Sequence, residues 1–216
     1  MKINIKIDII DKLTPEIIQD MQKIWFTADL HHSHDRIISI CGRPCSQLMH
    51  EEWLVKDVIN NYVKKKDVVY YIGDISFARK PDADRFVDRL NGEKFLILGN
   101  HDKSLEKSTR FTQITQIKDF SYSKFGLNIH IVLCHYCMLS YNRMIHNAWH
   151  LFGHSHCRPL EGQPKLSFDV GIDRIGLWRP YNLYEICQIM NKKELGYDEE
   201  SILKSLLHKN GEKTFV

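Results

Sequence analysis

The sequence lacks any apolar run long enough to cross a membrane. None of its 216 residues belongs to a stretch near the roughly 20 apolar residues that a spanning helix needs. Residues 1–10, MKINIKIDII, alternate apolar and polar side chains, which predicts a strand and not the continuous apolar segment of a signal peptide. We therefore expect a cytoplasmic protein with no membrane partner, whose six cysteines are reduced thiols.

A strong net charge and a linker are missing as well. The formal charge of +3 is too small to predict nucleic acid as a main partner, so nucleic acid enters only as a substrate. There is no internal repeat, low-complexity segment or Pro/Gly/Ser-rich stretch that would separate two domains. These absences predict one domain over residues 1–216, with 1–24 as an N-terminal strand–helix extension and 190–216 as a C-terminal helical tail.

Histidine is abundant, with twelve residues, and several of them follow short apolar runs. Five such runs, rich in β-branched and aromatic residues, each end on a side chain that can bind a metal. The five end residues are Asp29, Asp74, Asn100, His135 and His154. Amphipathic stretches at about 46–63 and 81–90, with Ser46 as a cap and Pro81 near a helix start, separate the first three runs. Strand–helix–strand alternation predicts an α/β fold with parallel strands, whose ends share one sheet edge.

The spacing of these side chains indicates two metal ions. Asp29 and His31 lie two residues apart, as do His154 and His156, so each pair points to one side of an extended chain. Together with the other three strand-end residues they make seven oxygen or imidazole donors. One tetrahedral zinc takes only four ligands, so seven donors predict two divalent ions that share a carboxylate. These donor types suit Mn, Fe, Zn, Ni or Co, and we favour Mn.

The order of the motifs resembles that of calcineurin-like metallophosphoesterases. The motifs are DLH at 29–31, GD at 73–74, GNHD at 99–102, His135 and GHSH at 153–156. The longer stretches FTADLHHSH, CGRP and WHLFGHSH resemble a small subgroup of bacterial and phage members without a cap domain. The resemblance implies a four-layer α/β/β/α sandwich of two mixed β-sheets flanked by helices.

The resemblance also implies a role for each donor. One metal would be held by Asp29, His31 and His156. The other would be held by Asn100, His135 and His154. Asp74 would bridge the two, and the implied reaction is phosphoester hydrolysis by a metal-activated bridging water. Gly99 would allow a sharp turn that leaves His101 free as a proton donor or charge stabiliser.

Other residues are weaker candidates for a functional role. His34 and Arg43 are proposed to bind substrate, Arg43 because a guanidinium suits a phosphate. Asp102 either orients His101 or caps the next segment, and we favour the cap. The remaining histidines considered are assigned to structure or solvent: His32, His130, His146 and His150.

Two differences from other branches of this family limit the substrates that we expect. The residues after Gly73-Asp74 are ISFAR, whereas the phosphoprotein phosphatase branch has Asp-Arg-Gly, and Asp102 stands where that branch has Glu. Protein phosphatase activity is therefore not expected. Nothing past residue 180 is long enough for the DNA-recognition region of the double-strand-break nuclease branch. We expect a phosphodiesterase or phosphomonoesterase for small nucleotide-like substrates, with a nuclease acting on DNA or RNA as the alternative.

The segment CHYC, residues 134–137, allows two other hypotheses. A thioredoxin-like redox pair would normally open a helix after a strand. A structural zinc held by Cys134, Cys137 and the segment His154–Cys157 would make the protein a zinc-stabilised binding module and not an enzyme. That module leaves Asp29, Asp74 and Asn100 unexplained. We therefore interpret the two cysteines as packing residues.

Overall fold

A computed structural model of the chain describes residues 9–156, 158, 160–174 and 177–209. The strands within these residues are β1 (Ile24–Thr27), β2 (Val68–Ile72), β3 (Glu93–Ile97), β4 (Gln113–Thr115), β5 (Ile117–Lys124), β6 (Leu127–Cys134), β7 (Trp149–Phe152), β8 (Ser167–Asp169) and β9 (Tyr181–Asn182). The α-helices are α1 (Pro15–Met21), α2 (Asp35–Cys41), α3 (His50–Trp53), α4 (Lys80–Arg89), α5 (Leu183–Glu194) and α6 (Glu199–Lys209). Most of the predicted strand at residues 1–10 lies outside the described residues.

The first sheet has the strand order β4-β3-β2-β1-β9. Its neighbours are parallel except for β9, which is antiparallel to β1. The position of β2 in the sheet accounts for its nearly continuous apolar sequence. Successive residues point to opposite faces of the sheet, and both faces are covered by other parts of the protein. Tyr70 and Ile72 lie in a core shared with the second sheet, whereas Val69 and Tyr71 lie in a core beneath α3 and α4.

The second sheet has the order β5-β6-β7-β8, with β5 antiparallel to β6 and the other pairs parallel. In β6, Ile129, Ile131 and Leu133 face the shared core. The alternate residues Asn128 and His130 lie on the other face, where they are less buried. The predicted α/β fold of two mixed sheets flanked by helices is thus confirmed.

Helix α4 begins where the sequence predicts, and α1 has the residues typical of a helix start. At α1, the Thr14 hydroxyl accepts a hydrogen bond from the Ile17 amide at 3.5 Å, and Pro15 occupies the first helical position. Helix α4 carries Pro81 in its first turn, as expected from the predicted range 81–90. The α5 and α6 helices supply residues such as Ile186 and Ile202 to the shared core.

The single helix predicted at 46–63 is wrong in detail. The segment consists of a 3₁₀ turn (Gln47–Met49), α3 and a π-helical turn (Leu54–Ile59). Ser46 makes no capping side-chain hydrogen bond. Asn60, directly after the π-helical turn, bonds to a distant segment: its amide side chain donates to the Arg89 carbonyl at 2.9 Å and accepts from the Asn91 amide at 2.8 Å. These contacts tie the end of the segment to the end of α4.

Loops that follow the strands are joined to one another at the carboxyl edge of the sheets. A single bridge pairs His32 with Ser76, which connects the loops after β1 and β2. Another pairs Ala28 with Gly171, which connects the loop after β1 with the loop after β8. The two sheets therefore bring their strand ends to one place. Within the described residues, no helix is both long and apolar enough to cross a bilayer.

Candidate metal centre

The structure brings the seven predicted donors together at this edge. Among these donors, two sets of three side chains each have ligand atoms within 4.8 Å of one another. The first set is Asp29, His31 and His156. The second set is Asp74, His135 and His154. Asn100 joins the second set, with its Oδ1 3.2 Å from Nε2 of His135.

Two of the three residues of the first set lie deep in the protein, and His156 is partly buried. Asp29 and His31 are buried, and Nε2 of His31 lies 3.9 Å from Oδ1 of Asp29. The Nε2 atoms of His31 and His156 face each other at 3.0 Å. A carboxylate and two imidazole nitrogens aimed at one point are donors that a divalent transition metal prefers.

Asp74 lies between the two sets. Its Oδ2 is 3.4 Å from Nε2 of His135 in the second set and 3.7 Å from Nε2 of His31 in the first. Its Oδ1 accepts a hydrogen bond from the His101 amide at 2.9 Å, which fixes the carboxylate. The position is the one that a bridging carboxylate would need.

The backbone at the centre is strained. Asp29, His31, Asp74, His154 and His156 all adopt positive φ angles, between 47° and 69°. Residues with side chains rarely adopt this region, although Asp and His do so more readily than most. Strained conformations of this kind cluster at functional sites, where the surrounding fold holds them. Here the strain falls on five of the seven predicted donors.

The charges at the centre fit bound cations. Burial, reinforced by the nearby Asp169, raises the pKa of Asp29 to about 7, so its ionised form needs a cation beside it. Burial also opposes ionisation of Asp74, but interactions with His135, with the His101 amide and with His31 together outweigh it and lower the pKa to about 2. Burial lowers the pKa of His31 to about 2, which keeps the imidazole neutral as a metal ligand must be. Burial opposes the charged form of His135 and of His156, but hydrogen bonds with Asp74 and Asp173 raise the pKa of His135 to about 9 and that of His156 to about 10, so each would give up a proton to bind a metal. The donor types at the centre fit two divalent ions.

Backbone and side-chain acceptors orient two of the imidazoles. Nδ1 of His135 lies 2.8 Å from the Ile72 carbonyl, so it donates there and leaves Nε2 for a metal. Nδ1 of His156 lies 2.9 Å from Oδ2 of Asp173. Asp173 was missed by the sequence reasoning, although the mainly apolar run at 166–172 ends on it just as the other five runs end on donors.

The structure places Arg43 in a different position from the one that the sequence suggested. Its guanidinium is buried and binds both carboxylate oxygens of Asp173 at 2.8 Å. The remaining N–H groups face the carbonyls of Asp29 and Leu30 and the ring of His50. All five N–H donors are used, so none remains for a phosphate. Arg43 thus holds Asp173, which in turn orients His156.

Asp173→Asn should weaken metal binding at the first set. The amide that replaces the carboxylate has only one accepting oxygen, which cannot serve both N–H groups of Arg43 and also His156, so His156 loses its orientation. We expect the affinity for the first metal to fall by about 10- to 100-fold, as for other groups that orient metal ligands. Competition with a chromophoric chelator measures this affinity. A lower melting temperature with unchanged affinity would show that Asp173 serves stability alone.

Asp102 has neither of the two roles considered for it. Its buried carboxylate accepts hydrogen bonds from the backbone amides of Asp74 and Ile75 at 2.8 Å and of Gly99 at 2.9 Å. It therefore ties the loop after β2 to the loop after β3. Gly99 is needed for space and not for a sharp turn, because a Cβ there would lie 2.3 Å from Oδ1 of Asp74.

His101 and His34 lie beside the centre without belonging to either donor set. The His101 side chain is 41% exposed, and its Nε2 is 4.0 Å from Oδ2 of Asp74. His34 is the residue before α2, and its ring centroid lies 5.7 Å from that of His31 and 4.3 Å from that of Phe77. His34 therefore borders the centre on the same side as Phe77. Of the histidines assigned to structure, His32 and His150 are buried and hydrogen-bonded.

Cys134 and Cys137 have the character of packing residues. Among the described residues, no group of three potential metal ligands includes either thiol. Burial raises the pKa of both thiols, that of Cys137 to about 11 with a further contribution from Asp169. Protonated thiols are poor zinc ligands and poor nucleophiles. Cys157, which the zinc hypothesis also requires, lies outside the described residues.

The double substitution Cys134→Ser with Cys137→Ser should cost stability only. Burying hydroxyls in place of thiols is expected to lower the free energy of unfolding by about 1–3 kcal/mol. Metal content and turnover should match the unsubstituted protein. Urea unfolding and elemental analysis test this, and loss of a zinc ion would instead favour the binding-module hypothesis.

Comparison with known proteins identifies the family. The family model described as calcineurin-like phosphoesterase matches residues 22–136. An uncharacterized protein of Methanocaldococcus jannaschii is 31% identical over 180 residues, which cover 80% of this chain and 93% of that protein. The gene 66 protein of Mycobacterium phage L5 is 36% identical over 85 residues, 38% of this chain and 41% of the phage protein. The chain belongs to the calcineurin-like phosphoesterase family, as the motif order predicted.

A solved structure has a similar fold. The crystal structure of a protein of unknown function from Aquifex aeolicus matches with a TM-score of 0.57 at 22% identity, over 76% of this chain and 96% of the other. This likeness supports the fold alone. The family provides the chemical context, because its members are generally phosphoester hydrolases and typically bind divalent metals.

Proposed function

We propose that this protein hydrolyses small phosphoesters, as a phosphodiesterase or phosphomonoesterase, with two divalent metal ions. The observation that carries the proposal is the position of Asp74 between two donor sets, 3.7 Å from His31 and 3.4 Å from His135. When bound, two divalent ions lower the pKa of water and offset the charge of the phosphoryl oxygens. This chemistry suits phosphoester hydrolysis and has no evident use in a binding module.

The two sets differ in their access to solvent. Asp29 and His31 in the first set are buried, whereas Asn100 and His154 on the second side are exposed. We infer that the first set retains its metal more tightly. The second set faces the entering phosphoester, and manganese is the ion that we favour at both.

His101 supplies the remaining element of the mechanism. Its amide is fixed by Asp74, while its imidazole is open to solvent beside the bridging carboxylate. A side chain in this position can hold a proton at Nε2 and give it to the leaving oxygen. It can also stabilise negative charge that develops on the phosphoryl group.

The open centre supports a small or flexible substrate. Asn100, His101 and His154 are all exposed in the described part of the chain, so a phosphoester needs no lid movement to reach them. We favour nucleotide-like esters over polymeric DNA or RNA, because the charge of +3 provides little attraction for a long polyanion.

Hydrolysis after metal exchange tests the proposal. The protein is treated with a chelator, then supplied with Mn, Fe, Zn, Ni or Co, and assayed on bis-p-nitrophenyl phosphate and p-nitrophenyl phosphate. We expect no turnover without metal and the fastest turnover with Mn. The ratio of the two rates assigns diester or monoester preference. Turnover that survives complete chelation, or no turnover with any metal, would contradict the proposal.

A further inference from the structure

Two aromatic side chains are exposed at the rim of the metal centre. Phe77 is 38% exposed and Tyr136 is 47% exposed. Both are in contact with the predicted donors or with His101, and neither belongs to a donor set. Large apolar rings left partly in water do not stabilise the fold as buried rings do. Their position at the rim therefore calls for an explanation.

Phe77 lies on the side of the first donor set. Its ring stacks on that of His101, with centroids 4.2 Å apart and 28° between the planes. Its centroid is also 5.3 Å from that of His31. The Phe77 amide donates to the His32 carbonyl at 2.8 Å, which fixes the backbone of Phe77 beside the centre.

Tyr136 lies on the side of the second donor set, directly after His135. Its ring centroid is 4.8 Å from that of His154 and 5.1 Å from that of His135. Its hydroxyl is 3.5 Å from Oδ1 of Asn100. Phe77 and Tyr136 thus flank the place where a phosphoryl group would be held, one on each side.

We propose that Phe77 and Tyr136 select phosphoesters whose substituents carry a nucleobase. The inference rests on the proposed function, because it takes the phosphoryl group to bind between the two donor sets. A planar base attached through a ribose can reach a ring at the rim and stack on it. Stacking of this kind tolerates any base, since every base has a π face. The rings would then give affinity for nucleotides without specifying a sequence.

Binding of two matched phosphonates tests the inference without turnover. The ligands are the 5′-phosphonate analogues of AMP and of ribose 5-phosphate, in which a P–C bond replaces the ester bond that would be hydrolysed. Calorimetry with the Mn-loaded protein gives the ratio of their dissociation constants. We expect the AMP analogue to bind about tenfold more tightly, which corresponds to one stacked base.

Substitutions at the rim should remove this preference. The double variant Phe77→Leu with Tyr136→Leu keeps apolar side chains but removes both rings, so the two analogues should bind about equally. The single variants Phe77→Leu and Tyr136→Leu show how much each ring contributes to the preference for the AMP analogue. The matched control is Phe125→Leu with Tyr197→Leu, two exposed aromatic residues outside the centre, and it should keep the full preference.

The outcomes separate the inference from the proposed function. If the unsubstituted protein binds both analogues equally, or if the double variant keeps the preference, the inference is wrong. A double variant with slower turnover but an unchanged preference would show that Phe77 only supports His101, and this too overturns the inference. A protein that hydrolyses no phosphoester would defeat the proposed function, while the binding ratio still decides the role of the rings.

Discussion

Replacing Asp74 with asparagine is expected to weaken binding of both metal ions and to lower turnover by about 10³-fold, because each ion contributes several kcal/mol to the reaction. The substitution preserves shape. Oδ1 can still accept from the His101 amide, which it meets at 2.9 Å, and only the charged position near His31 and His135 is lost. The change therefore tests the shared carboxylate and not the folding of the loop.

Elemental analysis after gel filtration measures the effect of Asp74→Asn on metal binding. The unsubstituted protein should carry two divalent ions per chain, and the variant less than one. Asp119→Asn is the matched control, since this carboxylate pairs with His130 on the second sheet away from the centre. One tightly held zinc per chain that is unaffected by Asp74→Asn would contradict the two-metal arrangement.

Replacing His101 with asparagine should leave both metals in place and still slow the reaction by about 10²- to 10⁴-fold, the loss typical of a missing general acid. His101 belongs to neither donor set, and the backbone amide that binds Asp74 is kept in the variant. The defect should thus be in proton transfer and not in metal content.

The leaving group should decide the size of the His101→Asn defect. Nitrophenolate leaves without a proton, whereas a ribose oxygen needs one. We expect a small loss on nitrophenyl esters and a large loss on nucleotide esters, measured as kcat/KM for each. His146→Asn, at an exposed histidine away from the centre, is the control and should behave as the unsubstituted protein.

Other results would assign a different role to His101. Equal losses on both classes of ester would indicate that His101 stabilises charge on the phosphoryl group and donates no proton. Loss of metal together with activity would make His101 a ligand and would revise the assignment of the donors.

The local sequence was sufficient for the strands and for the donor types. The run DVVYYIGD predicts a buried strand followed by a metal-binding carboxylate, and β2 followed by Asp74 is found there. The prediction succeeds because side-chain alternation, strand length and the chemistry of the end residue are all encoded within about eight neighbouring residues. The segment 46–63 was less predictable, because its end is tied through Asn60 to residues about 30 positions away.

The sequence by itself determined the fold class and the family, and it predicted seven donors that the structure brings together, since each depends on short motifs whose order along the chain is preserved. Only the tertiary structure decided what surrounds the donors. Arg43 has the chemistry of a phosphate ligand, but packing places it against Asp173, 130 residues further along the chain. Asp102 likewise ties two loops together through backbone amides that no side-chain pattern reveals. Such contacts join residues distant in sequence, and they form because buried charges must find partners when the sheets pack.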